Sequence, residues 1–454
     1  MSAAVAGKRK GTPLHTKILL GLIIGAVLGI LANTQLGGEH AVVLFVEKYI
    51  ANPVGQIFLN LLFMIVIPLV FASIALGVAG LGDLRLVGRV GAKTLGYFLV
   101  TTALSATLGL IAVRFFAPGG SLAPEVRTEL MQAYGGDAAS KMQAAATSTF
   151  GIQTLINIVT RNPVKSAVDL DLLGIIFFGL MFGAAITMIP KEKADVMTSW
   201  LDSLNEIVIK IVEIAMKLAP YGVAGLIFGV TSRFGYALLK PLGGYILVVV
   251  GALLVHVLVT ISLIVRFAVG LSPRVFFNRI RASIVTAFST SSSSATLPTN
   301  LAVAEQNLGV PPHIAGFVLP LGATMCMNGT SLFEGVTVLF LSQVFGLHLS
   351  LGQMIVVMVM VVITAVGAAG VPGGSLPLLI GVMAMFGIPP EGIAIILGVD
   401  RILDMSRTTV NVIGDMSATA WIARTEGVWT ADQIPDLEGL DISTAQLDET
   451  PEAT

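Results

Sequence analysis

Asp404-Met405-Ser406-Arg407-Thr408-Thr409-Val410-Asn411-Val412-Ile413-Gly414-Asp415 decides how this chain is read, because its polar residues stand in an apolar neighbourhood. At 3.6 residues per turn, Asp400, Asp404, Arg407, Thr408, Asn411 and Asp415 fall within roughly a 100° stripe, and the opposite face is largely apolar. In water such a stripe is a solvated face. In lipid each ionisable residue costs at least roughly 2.5 to 3.5 kcal/mol on insertion scales, so several in one span face a protein interior or aqueous cavity and make a site.

Lipid is the solvent that the composition indicates. Of 454 residues 12% are charged and 55% hydrophobic, with a mean hydropathy of +0.89, against roughly 25% charged in a typical globular chain. Apolar runs near 15–34, 52–80, 94–116, 172–190, 203–230, 241–269, 311–345, 353–387 and 390–422 are long enough for helical spans. Several exceed the roughly 20 residues that a span requires, which implies tilt, breaks or paired half-spans. The formal charge of -1, with no basic patch, gives no argument for a nucleic-acid partner. Cys326 is the sole cysteine, which excludes an internal disulfide and a zinc site of several thiolates, and no cofactor is expected. Lys8, Arg9 and Lys10 precede an apolar segment as in a signal peptide, but that segment runs on through Leu31 without a small-residue cleavage site and reads as a retained first span.

Lysine and arginine near residues 8–17, 85–93, 191–193 and 274–281 mark alternate loops as cytoplasmic. The expected location is a bacterial inner membrane, crossed several times, with both termini cytoplasmic. Residues 118–165 read as a long mixed-charge external connection. Asp202, Glu206, Lys210, Glu213 and Lys217 stand at helical spacing, with Pro220 expected to break the pattern. Beyond Arg424 the chain has acidic residues and no basic ones, and reads as a solvated, disordered tail.

The C-terminal half repeats itself. Residues 286–298 (Thr-Ala-Phe-Ser-Thr-Ser-Ser-Ser-Ser-Ala-Thr-Leu-Pro) and 367–377 (Gly-Ala-Ala-Gly-Val-Pro-Gly-Gly-Ser-Leu-Pro) both interrupt apolar sequence and close on a hydroxyl residue followed by Leu-Pro. Each precedes a long apolar span broken by a polar cluster, Asn328-Gly329-Thr330 in one and the opening stripe in the other. This pattern reads as two copies of a re-entrant hairpin followed by a discontinuous helix. Non-helical backbone at membrane depth is tolerated only where it is buried or lines a cavity, and there it can hold ions.

Arg407 offers a planar fork suited to a carboxylate, and an internal ion pair with Asp404 one turn away is its alternative. Asp404 could accept from an ammonium group, while Thr408 and Asn411 could complete a shell around a second carboxylate. Asp415, beside Gly414, suits a hard cation or else a capping role. Glu334 is a candidate proton carrier or a structural hydrogen-bonding group.

Thr296-Leu297-Pro298, Gly322-Ala323-Thr324, Met327-Asn328-Gly329-Thr330, Gly370-Val371-Pro372-Gly373 and the Asp404–Asp415 stripe together resemble the glutamate transporter family of dicarboxylate or amino acid:cation symporters. The similarity covers roughly residues 12–427. It implies an all-α membrane protein of eight transmembrane helices and two re-entrant helical hairpins, built from inverted repeats and working as an elevator in a homotrimer. The implied parts are a cytoplasmic N-terminus (1–14), scaffold spans (15–90 and 150–235), a transport-domain third span (91–117), an external loop (118–149), the rest of the transport domain (236–427) and the acidic tail (428–454).

The resemblance also implies roles. Arg407 would hold the substrate's side-chain carboxylate with help from Thr330, and Asp404 its amino group. Asn411, Thr408 and the Ser292–Ser293 tip would hold its main-chain carboxylate, with Val371, Pro372 and Gly373 closing over it. One sodium would lie among Gly322, Cys326, Asn411 and Asp415, and a second near Thr324, Ala365, Val366 and Ala368. The family's third sodium site reads here as Cys326, Asn328, Phe98, Thr101 and Thr102, so it lacks its carboxylate and its phenol and is expected to be weak or absent. Glu334 matches the family's proton-carrying glutamate. An arginine expected at the first hairpin tip or beside Asp404 is missing, the positions being Ser291 and Met405, and Arg401 is the candidate replacement.

The expected activity is therefore import of L-glutamate or L-aspartate with protons, sodium ions or both. C4-dicarboxylate members of the family lack the Asp404 equivalent, and neutral amino acid or cystine members lack the Arg407 equivalent; this chain keeps both. A channel would use rings of one motif about an axis rather than a two-hairpin repeat. An enzyme is excluded, since no base lies at the serine run and no GxSxG-type turn is present.

Overall fold

The computed structural model describes residues 14–79, 88–123, 128, 159–168, 172–366, 368, 370–389, 392–431 and 434. Every regular element among them is helical. The main helices are α1 (Leu14–Leu36), α2 (Asn52–Ala79), α3 (Gly88–Phe116), α4 (Leu172–Ile186), α5 (Lys191–Phe234) and α6 (Leu239–Val255). They are followed by α7 (Arg281–Thr290), α8 (Ser293–Ala302), α9 (Pro312–Met325), α10 (Asn328–Val344), α11 (Leu351–Val366), α12 (Leu376–Met385) and α13 (Ile393–Thr425). Five stretches among the described residues are long and apolar enough to cross a bilayer: Thr16–Leu36, Ala41–Leu76, Arg89–Ser121, Lys191–Arg233 and Lys240–Val269. The last continues α6 through two π-helical segments, His256–Ile261 and Ile264–Val269.

α1 and α2 both pack on α5, and α4 packs on α2. Small residues set the approach of α1: a Cβ on Gly21 or Gly25 would collide with the backbone of Pro220 or Ala224, which is the close contact that apolar helices without a hydrophobic driving force rely on. Pro220 does not end the helix as expected, because α5 runs unbroken from Lys191 to Phe234. Proline removes one backbone hydrogen bond, and neighbouring helices can make up that loss in a packed bundle.

The remaining helices gather around α13. The hairpin arm α7 and both α9 and α10 pack on it, α10 also packs on α3, and α12 reaches α2. α10 is buried along almost its whole length. It is tied to α6 by a 2.8 Å hydrogen bond between the Tyr245 and Thr337 hydroxyls and by stacking of Tyr245 on Phe340. Tyr97 on α3 is linked to Ser417 on α13 in the same way, at 2.8 Å. At the end of α13, Glu426 accepts from Arg89 and Lys93, each at 2.6 Å, and these hydrogen bonds hold its carboxyl below the usual range.

The tail departs from expectation at its start. Trp429 is buried and its indole N–H donates to the Leu308 carbonyl at 2.8 Å, so the ordered chain extends past residue 427. Indole burial with a satisfied N–H outweighs the solvation that the acidic composition suggested. Most of the external loop expected over 118–149 and most of the tail lie outside the described residues. Within that loop, Pro118–Ser121 forms a single helical turn.

Candidate functional site

The two interruptions read from sequence are helix–turn–helix units. α7 gives way to α8 at Ser291 and Ser292, and α11 to α12 across residues 370–375. Their tips meet: the Gly370 carbonyl accepts from Ser292 Oγ at 2.6 Å and from the Ser294 N–H at 3.2 Å. The second tip also reaches the stripe, where the Gly373 N–H donates to Asp404 Oδ2 at 3.1 Å.

On α13 the charged residues form one buried cluster. Arg407 donates through Nη1 to Asp400 Oδ1 at 2.8 Å and through Nε to Asp404 Oδ1 at 3.0 Å, with Nη2 in ion-pair contact with the same oxygen at 3.0 Å. Its guanidinium lies over the Phe333 ring, 4.2 Å from the centroid. Arg401 approaches Asp404 Oδ2 at 3.6 Å, as expected of the candidate replacement. Two arginines thus balance two aspartates, and the internal pair that was the alternative for Arg407 is present. Asp400 stands on the same stripe two turns from Arg407, and that spacing is the sequence signal for the pair; no sequence signal points to Phe333.

α9 and α10 are one span broken at Cys326 and Met327, and the break exposes the first N–H groups of α10. Met327 cannot cap them. Asn411 does so from the neighbouring helix, accepting from Gly329 N–H at 2.7 Å and Thr330 N–H at 3.3 Å while its amide donates to Thr330 Oγ1 at 3.0 Å. A Cβ on Gly329 would collide with the Arg407 carbonyl, so glycine there lets the two discontinuous regions touch. Asn411 therefore already has a complete set of partners.

A cavity of ≈ 20 Å³ lies among Ser291, Ser293, Thr330, Ser375, Asp404 and Arg407, and Val371, Thr408 and Asn411 also line it. Its volume suits about one water molecule, so an amino acid enters only if a wall moves. Ser292, expected to face a ligand, instead caps Ala295 N–H at 3.1 Å and binds Gly370. Its neighbours Ser291 and Ser293 line the cavity.

Asp415 is fully buried, and neither carboxylate oxygen accepts a well-aligned hydrogen bond among the described residues; the Cys326 thiol, a weak donor, lies beside it. Gly322 lies against it, and the Phe98 ring reaches the same spot. A buried, unpaired carboxylate calls for a cation or a proton. Thr324, Val366 and Ala368 line a separate cavity of ≈ 470 Å³, together with Asp202 and Asn205 of α5; Ala365 is buried and does not line it. At the third position, Thr102 donates to Asn328 Oδ1 at 2.9 Å and Thr101 bonds its own helix at Tyr97, so these oxygens are engaged with each other and with backbone. Glu334 is fully buried, with Oε2 3.0 Å from Thr364 Oγ1 on the second hairpin; that hydroxyl is also 2.8 Å from the Met360 carbonyl.

The family model described as the sodium:dicarboxylate symporter family matches residues 14–425. A proton/glutamate-aspartate symporter of Escherichia coli K12 is 34% identical over 412 residues, covering 90% of this chain and 92% of the relative. A proton/sodium-glutamate symport protein of Bacillus subtilis 168 is 34% identical, covering 93% and 95%. A C4-dicarboxylate transport protein of the same organism is 30% identical, covering 94% and 97%.

Proposed function

The chain belongs to the sodium:dicarboxylate symporter family, a cation-coupled transporter spanning the membrane several times, and on that premise we propose that it imports L-glutamate and L-aspartate, driven by protons alone or with fewer sodium ions than a three-sodium carrier uses. The observation that carries the substrate class is the buried cluster in which Arg407 and Asp404 sit side by side at 3.0 Å, both bordering the small cavity. A guanidinium fork there serves a side-chain carboxylate, and an aspartate serves an amine. A C4-dicarboxylate has no amine to offer Asp404, and a neutral amino acid leaves Arg407 without a substrate partner.

Proton coupling is supported by the surroundings of Glu334, which is fully buried on α10. Thr364 Oγ1 of the second hairpin donates to its Oε2 at 3.0 Å, and Oε1 has no hydrogen-bond partner among the described residues. A buried carboxylate with one oxygen unpaired is costly as the anion, and taking up a proton relieves that cost. The Thr102–Asn328 bond supports the reading that the third sodium site is disabled. The unpaired Asp415 carboxylate supports cation binding beside Gly322 and Cys326, and Thr324 with Val366 and Ala368 supports a second site.

In this reading the second hairpin is the gate, and α3 with α6–α13 moves as an elevator against α1, α2, α4 and α5 in a homotrimer at the inner membrane. Uptake of labelled L-aspartate into proteoliposomes, competed by L-glutamate, succinate, L-alanine and L-cystine, tests the substrate class. Competition by the acidic amino acids alone is expected; stronger competition by succinate would make Asp404 a structural residue and the protein a dicarboxylate carrier.

A further inference from the structure

We propose that the Ser375 hydroxyl is a further substrate-binding group, donating to the side-chain carboxylate from the second hairpin while Ser291 faces the substrate from the first. The inference rests on the reading of Arg407 as the partner of that carboxylate. Both serines line the ≈ 20 Å³ cavity with Asp404 and Arg407. Both are at least nine-tenths buried, Ser291 1% and Ser375 4% exposed, and neither hydroxyl has a hydrogen-bond partner among the described residues.

An unpaired buried hydroxyl is unfavourable unless something else uses it. The fold had an obvious use for Ser375, which stands at the N-cap of α12, where serine normally accepts from the first turn. It makes no such bond. Its backbone, φ -86° and ψ -17°, is helical rather than extended, and Pro377 contributes no N–H to be capped. Ser292 at the same position of α8 has extended backbone, φ -142° and ψ 115°, and caps Ala295. Two serines in matching places thus differ in whether the helix engages the hydroxyl.

Position along α13 selects the carboxylate. Leu376, next to Ser375, borders a neighbouring cavity with Asp400, Arg401 and Asp404, and Asp400 and Asp404 are the two partners of the Arg407 guanidinium. Ser375 therefore lies at the guanidinium end of the site and Ser291 at the tip where the hairpins meet. A hydroxyl supplies one directional donor, and a carboxylate held by an arginine fork keeps lone pairs free to accept it.

Ser375→Ala is expected to raise KM for L-aspartate about tenfold, the loss of one hydrogen bond to a charged group, with maximal rate unchanged, as for binding that is uniform along the reaction. Ser375→Thr restores the wild-type value. Ser375→Cys supplies a second measurement: when the second hairpin opens, a methanethiosulfonate reagent should label it, and saturating L-aspartate should block that labelling, while wild type, whose Cys326 does not line this cavity, stays unlabelled. An unchanged KM in Ser375→Ala, or cysteine labelling that L-aspartate leaves untouched, would overturn the proposal. Arg407→Ala separates the two claims. If it abolishes L-aspartate uptake while Ser375→Ala has no effect, only the role of Ser375 is lost; if it leaves uptake intact, the underlying reading is lost as well.

Discussion

The two hairpins share a sequence plan, a hydroxyl residue followed by Leu-Pro, yet are held together by different means. In the first, Leu297-Pro298 falls inside α8, one turn beyond a serine cap, and the tip supports itself: Ser292 caps Ala295, and Thr296 bonds back to the Ser292 carbonyl at 2.7 Å. In the second, Leu376-Pro377 opens α12, and the turn of serines is replaced by Gly370-Val371-Pro372-Gly373-Gly374. No side chain caps that helix. Beyond two backbone bonds of its own turn, Gly374 N–H to the Val371 carbonyl at 3.0 Å and Leu376 N–H to the Gly373 carbonyl at 3.1 Å, the tip is fixed by what it touches elsewhere, Ser292, Ser294 and Asp404. A turn held by external partners can be released by a ligand that competes for them, which is what a gate over Asp404 requires. A turn held by its own caps stays in place.

Several substitutions would break or sharpen this contrast. The largest effect is expected for Arg407→Ala, which leaves Asp400 without a cation and Asp404 with Arg401 alone; loss of one partner of a buried pair costs about 3–5 kcal/mol, and uptake of acidic amino acids should fall at least about a hundredfold. Thermal unfolding in detergent together with uptake would record both. Next comes Asn411→Ala, which uncaps the broken helix by stranding Gly329 and Thr330 N–H groups, at about 2–3 kcal/mol. Ser292→Ala removes one cap and one latch bond, about 1–2 kcal/mol, and hydrogen exchange should rise in both hairpin tips at once.

Two tip substitutions should act with opposite sign. Ser291 has φ 52° and Gly373 φ 74°, a region that costs an L residue roughly 1–2 kcal/mol. Ser291→Gly relieves that strain and should slow exchange in the first tip, whereas Gly373→Ala adds it and should open the second; equal effects in both would remove the distinction between fixed tip and gate. The smallest effect is expected at Glu426→Gln. The Glu426 carboxyl is held below its usual range by Arg89 and Lys93, so its contribution is present above the ordinary carboxylate range and fades as pH falls toward the depressed value. The Tm difference from wild type should stay within about 2 °C at neutral pH and vanish in acid.

The helical stripe, both hairpin breaks and the split span were legible in sequence because each is a local departure from apolar periodicity. Partner choice was not. Asn411 presents a polar stripe position equally well to a ligand or to the stranded N–H groups of Gly329 and Thr330, and only the packing of α10 on α13 shows it bonded to those N–H groups while it also lines the cavity. Ser375 looks like an ordinary N-cap until its φ and ψ are known. Pro220 reads as a break, yet the surrounding bundle carries α5 through it. Trp429 lies in a stretch whose acidic composition hides one anchoring indole.

Proton coupling through Glu334 is tested most directly by L-aspartate uptake into proteoliposomes in sodium-free buffer under an imposed inward proton gradient, comparing wild type with Glu334→Gln. Concentrative uptake by wild type that Glu334→Gln abolishes is the expected result. A strict sodium requirement, with no response to the proton gradient in either protein, would contradict it and would mean that Asn328, Cys326 and Phe98 still permit sodium coupling.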